Sequence, residues 1–253
     1  MGRPSWVSKQ YIVAGIPHWK ELDDFPRRLT PDRDDDDDDS LVFPDYPDFR
    51  PNLDPEEVLR AGAFGGTYYR PITSAVADRS FPVGVHLEFP PDWFDGLDVD
   101  ALVTSGTYRK SANRYGVKSG NDLPFWEGKG WMREQDPYGW FQWYCRFYLG
   151  RRTPDDDRQV SRWVKAIGPK GRWRTFLVGQ CVKAGKSWDD CTASPVTRQT
   201  LLHWGYELTE AEFDRLAAPI RAGKSVIYLG KVSDGRRANT SEGGGDGKRK
   251  RGR

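Results

Sequence analysis

The chain has 253 residues, 39 Lys and Arg against 37 Asp and Glu, and an aromatic content of 13%. That length suits one large domain with appended segments, the rings imply a substantial core, and the near-neutral balance says little about partners. No window approaches the 18 or more apolar residues of a membrane span, MGRPSWVSKQ lacks the apolar run of a signal peptide, and three cysteines without metal-type spacing argue for a reduced intracellular compartment.

Four segments follow in chain order. Residues 1–31 form an N-terminal segment. Residues 32–51 hold the unbroken run Asp34 to Asp39 and then FPDYPDFRP, whose prolines keep the backbone extended; a mobile acidic loop and a stretch laid over the surface are expected. Residues 52–230 are expected to form one compact, mainly α domain whose N-terminal half is irregular or carries short strands, with α+β as the variant. Residues 231–253 carry eight basic and three acidic side chains among Gly, Ser and Asn, with no apolar anchor, and read as a disordered basic tail.

Within the domain, Asp54-Pro55-Glu56-Glu57 opens a first helix: an N-cap carboxylate, a proline at N1, acids near the positive dipole end, and Leu53 placed to staple onto Val58. Between Ala63 and Gly130, Gly, Pro, Asn and Asp recur every few residues, and only short apolar runs such as PVGVHLEF interrupt them. Asp136-Pro137 predicts a helix to Leu149, stopped by Gly150. Thr153-Pro154-Asp155-Asp156 predicts another to Gly168, with Val160, Trp163, Val164 and Ile167 on one stripe. Trp173, Phe176, Leu177, Gln180, Cys181 and Ala184 repeat the spacing before Gly185. Ser194-Pro195 starts a helix ending at Gly205, and Thr209 with Glu212 forms a capping box for one ending near Gly223.

The second of these helices carries Trp140, Phe141, Trp143, Tyr144, Phe147 and Tyr148 around most of its circumference, the pattern of a helix buried in the middle of its domain; a ligand-lining helix is the other reading. Arg146, Arg151 and Arg152 fall at or beyond its C-terminal end, where the dipole favours cations and Asp155 to Asp157 are within reach. Two AGKS runs fail as phosphate loops, because the glycine spacing is wrong and both follow helices rather than strands. His18, His86 and His203 lack partners at metal-ligand spacing, and Cys181 lies on an apolar face as an inert thiol.

Two stretches suggest binding. In FGGTYYRPI, adjacent glycines allow close backbone approach and Tyr68 and Arg70 offer a hydroxyl and a guanidinium. The loop Tyr108 to Lys118 interleaves Arg109, Lys110, Asn113 and Lys118 with tyrosines, a pattern that holds a phosphate or stacks on a base, unless the tyrosines simply pin a long loop. In the tail, Lys248, Arg249, Lys250 and Arg251 form a cluster of the kind read by import receptors or phosphate backbones, so nuclear or nucleocytoplasmic residence is expected. With no convincing nucleophile, metal set or cofactor motif, the expectation is a non-enzymatic binding module for nucleic acid or a protein partner, using the basic loop 108–118, the arginines of the Trp- and Arg-rich stretch near 146–174 and the tail. The alternative is an enzyme on a small phosphate- or carboxylate-bearing substrate, using Tyr68, Arg70 and Arg109 to hold the anion and His86 or His203 as base.

FGGTYYRPI, NRYGVKSG, DPYGWFQWYCRFYLGRR followed by DDDRQVSRW, and RQTLLHWGYELT are similar to the sequences of a family of small Trp- and Arg-rich soluble proteins in microbial and eukaryotic genomes. The resemblance spans about residues 52 to 209. It implies one shared domain, and no activity or catalytic residue comes with it.

Overall fold

A computed structural model of the protein describes residues 31–34 and 39–223. Among them are eight α-helices: α1 (Pro55–Ala61), α2 (Val99–Leu102), α3 (Leu123–Gly128), α4 (Trp140–Tyr148), α5 (Asp156–Ala166), α6 (Arg172–Ala184), α7 (Pro195–His203) and α8 (Glu210–Arg221). Strands β1 (Asp32–Arg33) and β2 (Leu41–Val42) form one antiparallel ribbon, and β3 (Ile72–Ser74) and β4 (Arg79–Phe81) form a second. The fold is therefore mainly helical with short strands in the N-terminal half, in one compact region, and none of the described helices is long and apolar enough to cross a membrane.

Local chemistry explains several ends. The Asp54 carboxylate accepts from the Glu57 amide at 2.9 Å while Glu57 accepts from the Asp54 amide at 2.8 Å, so the α1 capping box closes in both directions. Gly185 ends α6 at φ 65°, the left-handed conformation glycine adopts without strain. At α8 only half of the expected box forms: Thr209 accepts from the Glu212 amide, but the Glu212 carboxylate is buried against Arg174 and the Tyr206 hydroxyl. A charge partner in a dry interior outweighs a return bond to a solvated amide.

The helix predicted to open at Asp136-Pro137 begins instead at Trp140, because Asp136 is taken by other partners. Both its oxygens accept from Arg151, at 2.7 Å each, and Oδ1 also accepts from Arg146 at 2.9 Å. Arg146 reaches Glu88 at 2.7 Å, and Gln142 donates to the same carboxylate at 3.0 Å. The arginines expected near Asp155 to Asp157 thus point elsewhere: Arg146 and Arg151 turn inward, and Arg152 meets Asp45 at 2.8 Å with its guanidinium 3.8 Å over the Phe147 ring. Burial alone would raise the Asp136 carboxyl, but Arg151 and Arg146 outweigh it and hold it below the usual carboxylate range.

Residues 40 to 51 correct a second expectation. They are not laid over the surface: Leu41, Phe43 and Phe49 are buried, while Asp45 and Asp48 of the same proline-spaced run face out. Phe49 stacks on Phe43 at 5.1 Å and meets Trp140, Tyr144, Phe147 and Trp163 edge-on at 5.2–6.0 Å. Edge-to-face contact at these distances is the arrangement ring quadrupoles favour. The core thus extends N-terminal to the boundary expected at residue 52. Trp143 sits at its centre with Nε1 donating to Asp156 at 2.8 Å, and of the predicted α5 stripe Val160, Trp163 and Ile167 are buried while Val164 is half-buried. On α6 the buried face is rotated from the expected one, to Arg174, Leu177, Val178 and Cys181, which leaves Trp173 and Phe176 half-buried.

Candidate functional site

A cleft of about 470 Å³ opens where the 64–72 segment, the loop leading into α3, the approach to α4, and helices α5, α6 and α7 meet. Its apolar wall includes five tryptophans, Trp126, Trp131, Trp140, Trp173 and Trp204, and its cations are Arg70, Lys118, Arg162 and Arg172. Asp122 is the carboxylate in the lining, and it is committed to capping α3, accepting from the Phe125 amide at 3.0 Å. A concave, mostly apolar site with a few polar groups is the usual form of a small-ligand site; this one adds a strong bias toward negative charge.

Trp140 and Trp204 stack at 4.4 Å, and Trp163 Nε1 fixes the second of them by donating to the Trp204 carbonyl at 2.9 Å. Arg162, on α5, lies over the Trp204 ring at 5.4 Å and over Trp131 at 5.7 Å. Its NH1 donates to Gln159 Oε1 at 2.8 Å, and among the described residues no carboxylate pairs with it. Burial lowers its pKa to about 10, Arg158 and Arg133 adding to the effect and Asp155 opposing it. A guanidinium held partly buried beside other cations gains from an arriving anion, because the cost of desolvating it is already met in the free protein.

His203 closes the floor. Its ring stacks on Phe64 at 4.2 Å, and Nε2 accepts from the Phe64 amide at 3.0 Å. Gln199 Nε2 also lies 3.1 Å from that nitrogen; Gln199 Oε1 takes the Tyr115 amide, which orients the side chain so that its NH2 group faces both His203 and the Gly62 carbonyl. Two donors on Nε2 assign the ring proton to Nδ1. Burial pushes the pKa down to about 3, so the ring is neutral and its lone pair is occupied. A folded pKa below the unfolded value means stability is fully present above about 6.5 and is lost as pH falls from there toward about 3. We expect the unfolding free energy from urea titrations to fall more steeply between pH 6.5 and 4.5 in the wild type than in His203→Gln, by up to about 1.4 kcal/mol per pH unit. Identical slopes would contradict this placement of the proton.

The residues singled out in the sequence divide sharply. Tyr68, Arg70 and Lys118 line the cleft together with Tyr108. The Tyr68 hydroxyl, however, donates to the Tyr138 carbonyl at 2.7 Å and accepts from the Gln142 amide at 2.9 Å, so the ring and not the hydroxyl faces a ligand. Asn113 is buried and pins the loop: it donates to Tyr108 Oη and the Val117 carbonyl, each at 2.7 Å, and accepts from the Gly65 amide at 2.7 Å. Arg109 donates to the Ala101 carbonyl and lies outside the lining, as does exposed Lys110. His86 is likewise elsewhere. Lys248, Arg249, Lys250 and Arg251 lie outside the described residues. Arg162 and Arg172 fall in the Trp- and Arg-rich stretch 131–174, which in sequence suits either a core or a binding surface, while Trp126 and Trp204 lie outside it and carried no signal.

Among the described residues no group of His, Cys, Asp and Glu is placed to hold a metal ion. Comparison with protein-family models, with curated proteins and with solved structures returned no match, so the geometry carries the functional argument.

Proposed function

We propose that the protein is a non-enzymatic binding module whose cleft takes an anionic ligand bearing a flat ring. The observation that carries this is Arg162, a partly buried guanidinium paired with no carboxylate among the described residues, seated over two tryptophans in the wall of a cleft of about 470 Å³. Indole faces supply stacking area, and the planar fork of Arg162 matches a phosphate or carboxylate. Catalysis finds less support: the His203 lone pair is occupied, the Cys145 and Cys181 thiols are buried and pushed up, and Asp122 is a helix cap. Among nucleic-acid readings, the cleft offers a firmer basis than Arg109 and Lys110 on the neighbouring loop.

Titration of tryptophan fluorescence with uridine monophosphate, adenosine monophosphate and benzoate tests the reading. At least one of these probes should give a saturable change in the wild type. Arg162→Ala should weaken it about tenfold or more, since hydrogen bonds to charged groups contribute about 1.5–3 kcal/mol. The same variant should remain folded by circular dichroism, because it removes a cation with no ion-pair partner among the described residues and gives up only one hydrogen bond to Gln159 and two ring contacts. Saturation by none of the probes, or equal affinity in the variant, would overturn the proposal.

A further inference from the structure

The cleft does not end at its wall. Trp131, whose ring lines it, is 43% exposed, and it packs edge-on at 6.0 Å against Phe125, which is 40% exposed and lies outside the lining. Two large rings therefore continue the aromatic surface out of the cleft into solvent, where single apolar side chains are common but adjoining exposed rings are a feature to explain. Their backbone is fixed: the Trp131 amide donates to the Trp126 carbonyl at 3.1 Å, and the Trp131 carbonyl accepts from Arg158 at 3.3 Å.

Charge accompanies the rings. Arg133 and Arg158 share one carboxylate, Asp155, at 3.7 Å and 2.7 Å, and Arg162, close enough to feel all three, pairs directly with no carboxylate among the described residues. Lys129 adds a cation 5.6 Å over the Phe125 ring. Exposed Glu134, the helix cap Asp122 and Glu127, which accepts from Ser74 and the Ala75 amide, offset part of this charge, and the cleft cations Arg70, Lys118 and Arg172 add to it. A row of rings with surplus cations beside it complements a polymer that presents a flat ring and an anion at each step.

We infer that the occupant is a single-stranded nucleic acid, with one base in the cleft, the next stacked outside on Trp131 and Phe125, and the linking phosphate on the Arg133, Arg158 and Arg162 group. This rests on the cleft reading and names its ligand. A single strand fits better than a duplex because stacking on these rings needs bases free on both faces, whereas paired bases present only edges.

The experiment compares uridine monophosphate with di-, tri- and hexauridylate, matched thymidine oligomers, a duplex of equal length and a phosphotyrosine peptide, using full-length protein at low salt. Affinity should rise about tenfold or more from the mononucleotide to the trinucleotide, each stacked base contributing of the order of one decade. The gain should fall with salt at a slope of roughly −0.7 per phosphate engaged. Phe125→Ala should bring the trinucleotide back toward the mononucleotide's affinity. Ribo- and deoxy-series that differ by tenfold would identify the strand type, and equal series would show that the sugar is not read; either supports the strand. Mononucleotide binding with no gain on lengthening would overturn the strand and leave the cleft reading standing. Tighter binding of the duplex or the phosphopeptide would also overturn it, and loss of every ligand, mononucleotide and benzoate included, would instead remove the cleft reading itself.

Discussion

Phe49→Ala is expected to lower the unfolding free energy by about 3–5 kcal/mol, the usual cost of truncating a fully buried aromatic ring. Phe49 meets Phe43, Trp140, Trp143, Tyr144, Phe147 and Trp163, so the hole it leaves is bordered by rings that cannot close over it without abandoning their mutual contacts. Against a typical margin of about 5–15 kcal/mol, this is a large share. Reversible urea unfolding, followed by tryptophan fluorescence, measures it. A loss below about 1 kcal/mol would mean that the 40–51 segment sits on the surface after all, since only exposed sites tolerate such a change so cheaply.

Asp136→Asn should be comparably severe, with a loss of about 3–5 kcal/mol, because removing one partner leaves a buried charge uncompensated. Asp136 joins Arg146 and Arg151 at 2.7–2.9 Å, and without its charge Arg146 keeps Glu88 as its ion-pair partner while fully buried Arg151 loses its directly bonded carboxylate. Pairing Asp136→Asn with Arg151→Met should recover part of the loss by removing the stranded charge. An additive double variant would show that the two side chains do not act as a pair. The wild-type carboxyl is depressed, so its contribution is full above about pH 3.9 and is lost as pH falls further. That window lies below the one in which His203 begins to act, which allows the two groups to be separated in a single pH series.

How much of this was legible in the sequence varies with the range over which each signal acts. The Asp54 N-cap and Pro55 start of α1, the Gly185 stop and most of the α5 stripe depend on residues within a few positions of one another and appear as predicted; the return bond from Glu57 that completes a capping box was not foreseen. Asp136 and Glu212 read as local caps but serve distant arginines; the same carboxylate suits either role, and only the fold brings Arg151 or Arg174 beside it. Phe43 and Phe49 were concealed by the prolines and aspartates between them, which read as extended backbone but form two successive turns, the Tyr46 amide donating to the Phe43 carbonyl at 2.8 Å and the Phe49 amide to the Tyr46 carbonyl at 2.9 Å, so that both rings point inward.

The cleft was legible only in fragments. Tyr68, Arg70 and Lys118 were found because each lies in a Gly-rich polar-aromatic stretch, and the fold brings them to one cavity. Trp126 with Trp131, Trp173 and Trp204 come from three separate segments, and nothing in their spacing marks a shared wall. Arg162 sits beside Trp163, whose place in the core is clear from periodicity, while its own significance depends on its pairing with no carboxylate among the described residues, which only the fold reveals.

The most direct test of the cleft as a ligand site is the proton–nitrogen correlation spectrum of the indole groups during titration with uridine monophosphate or a short oligouridylate. The chain has 11 tryptophans, so the indole region is resolvable residue by residue once assigned by substitution. Signals of Trp131, Trp140 and Trp204 should move and saturate together, while that of Trp143, bonded to Asp156 in the core, stays fixed. Equal movement of Trp143, or no movement of the three cleft tryptophans while ligand is bound, would contradict the assignment of the site.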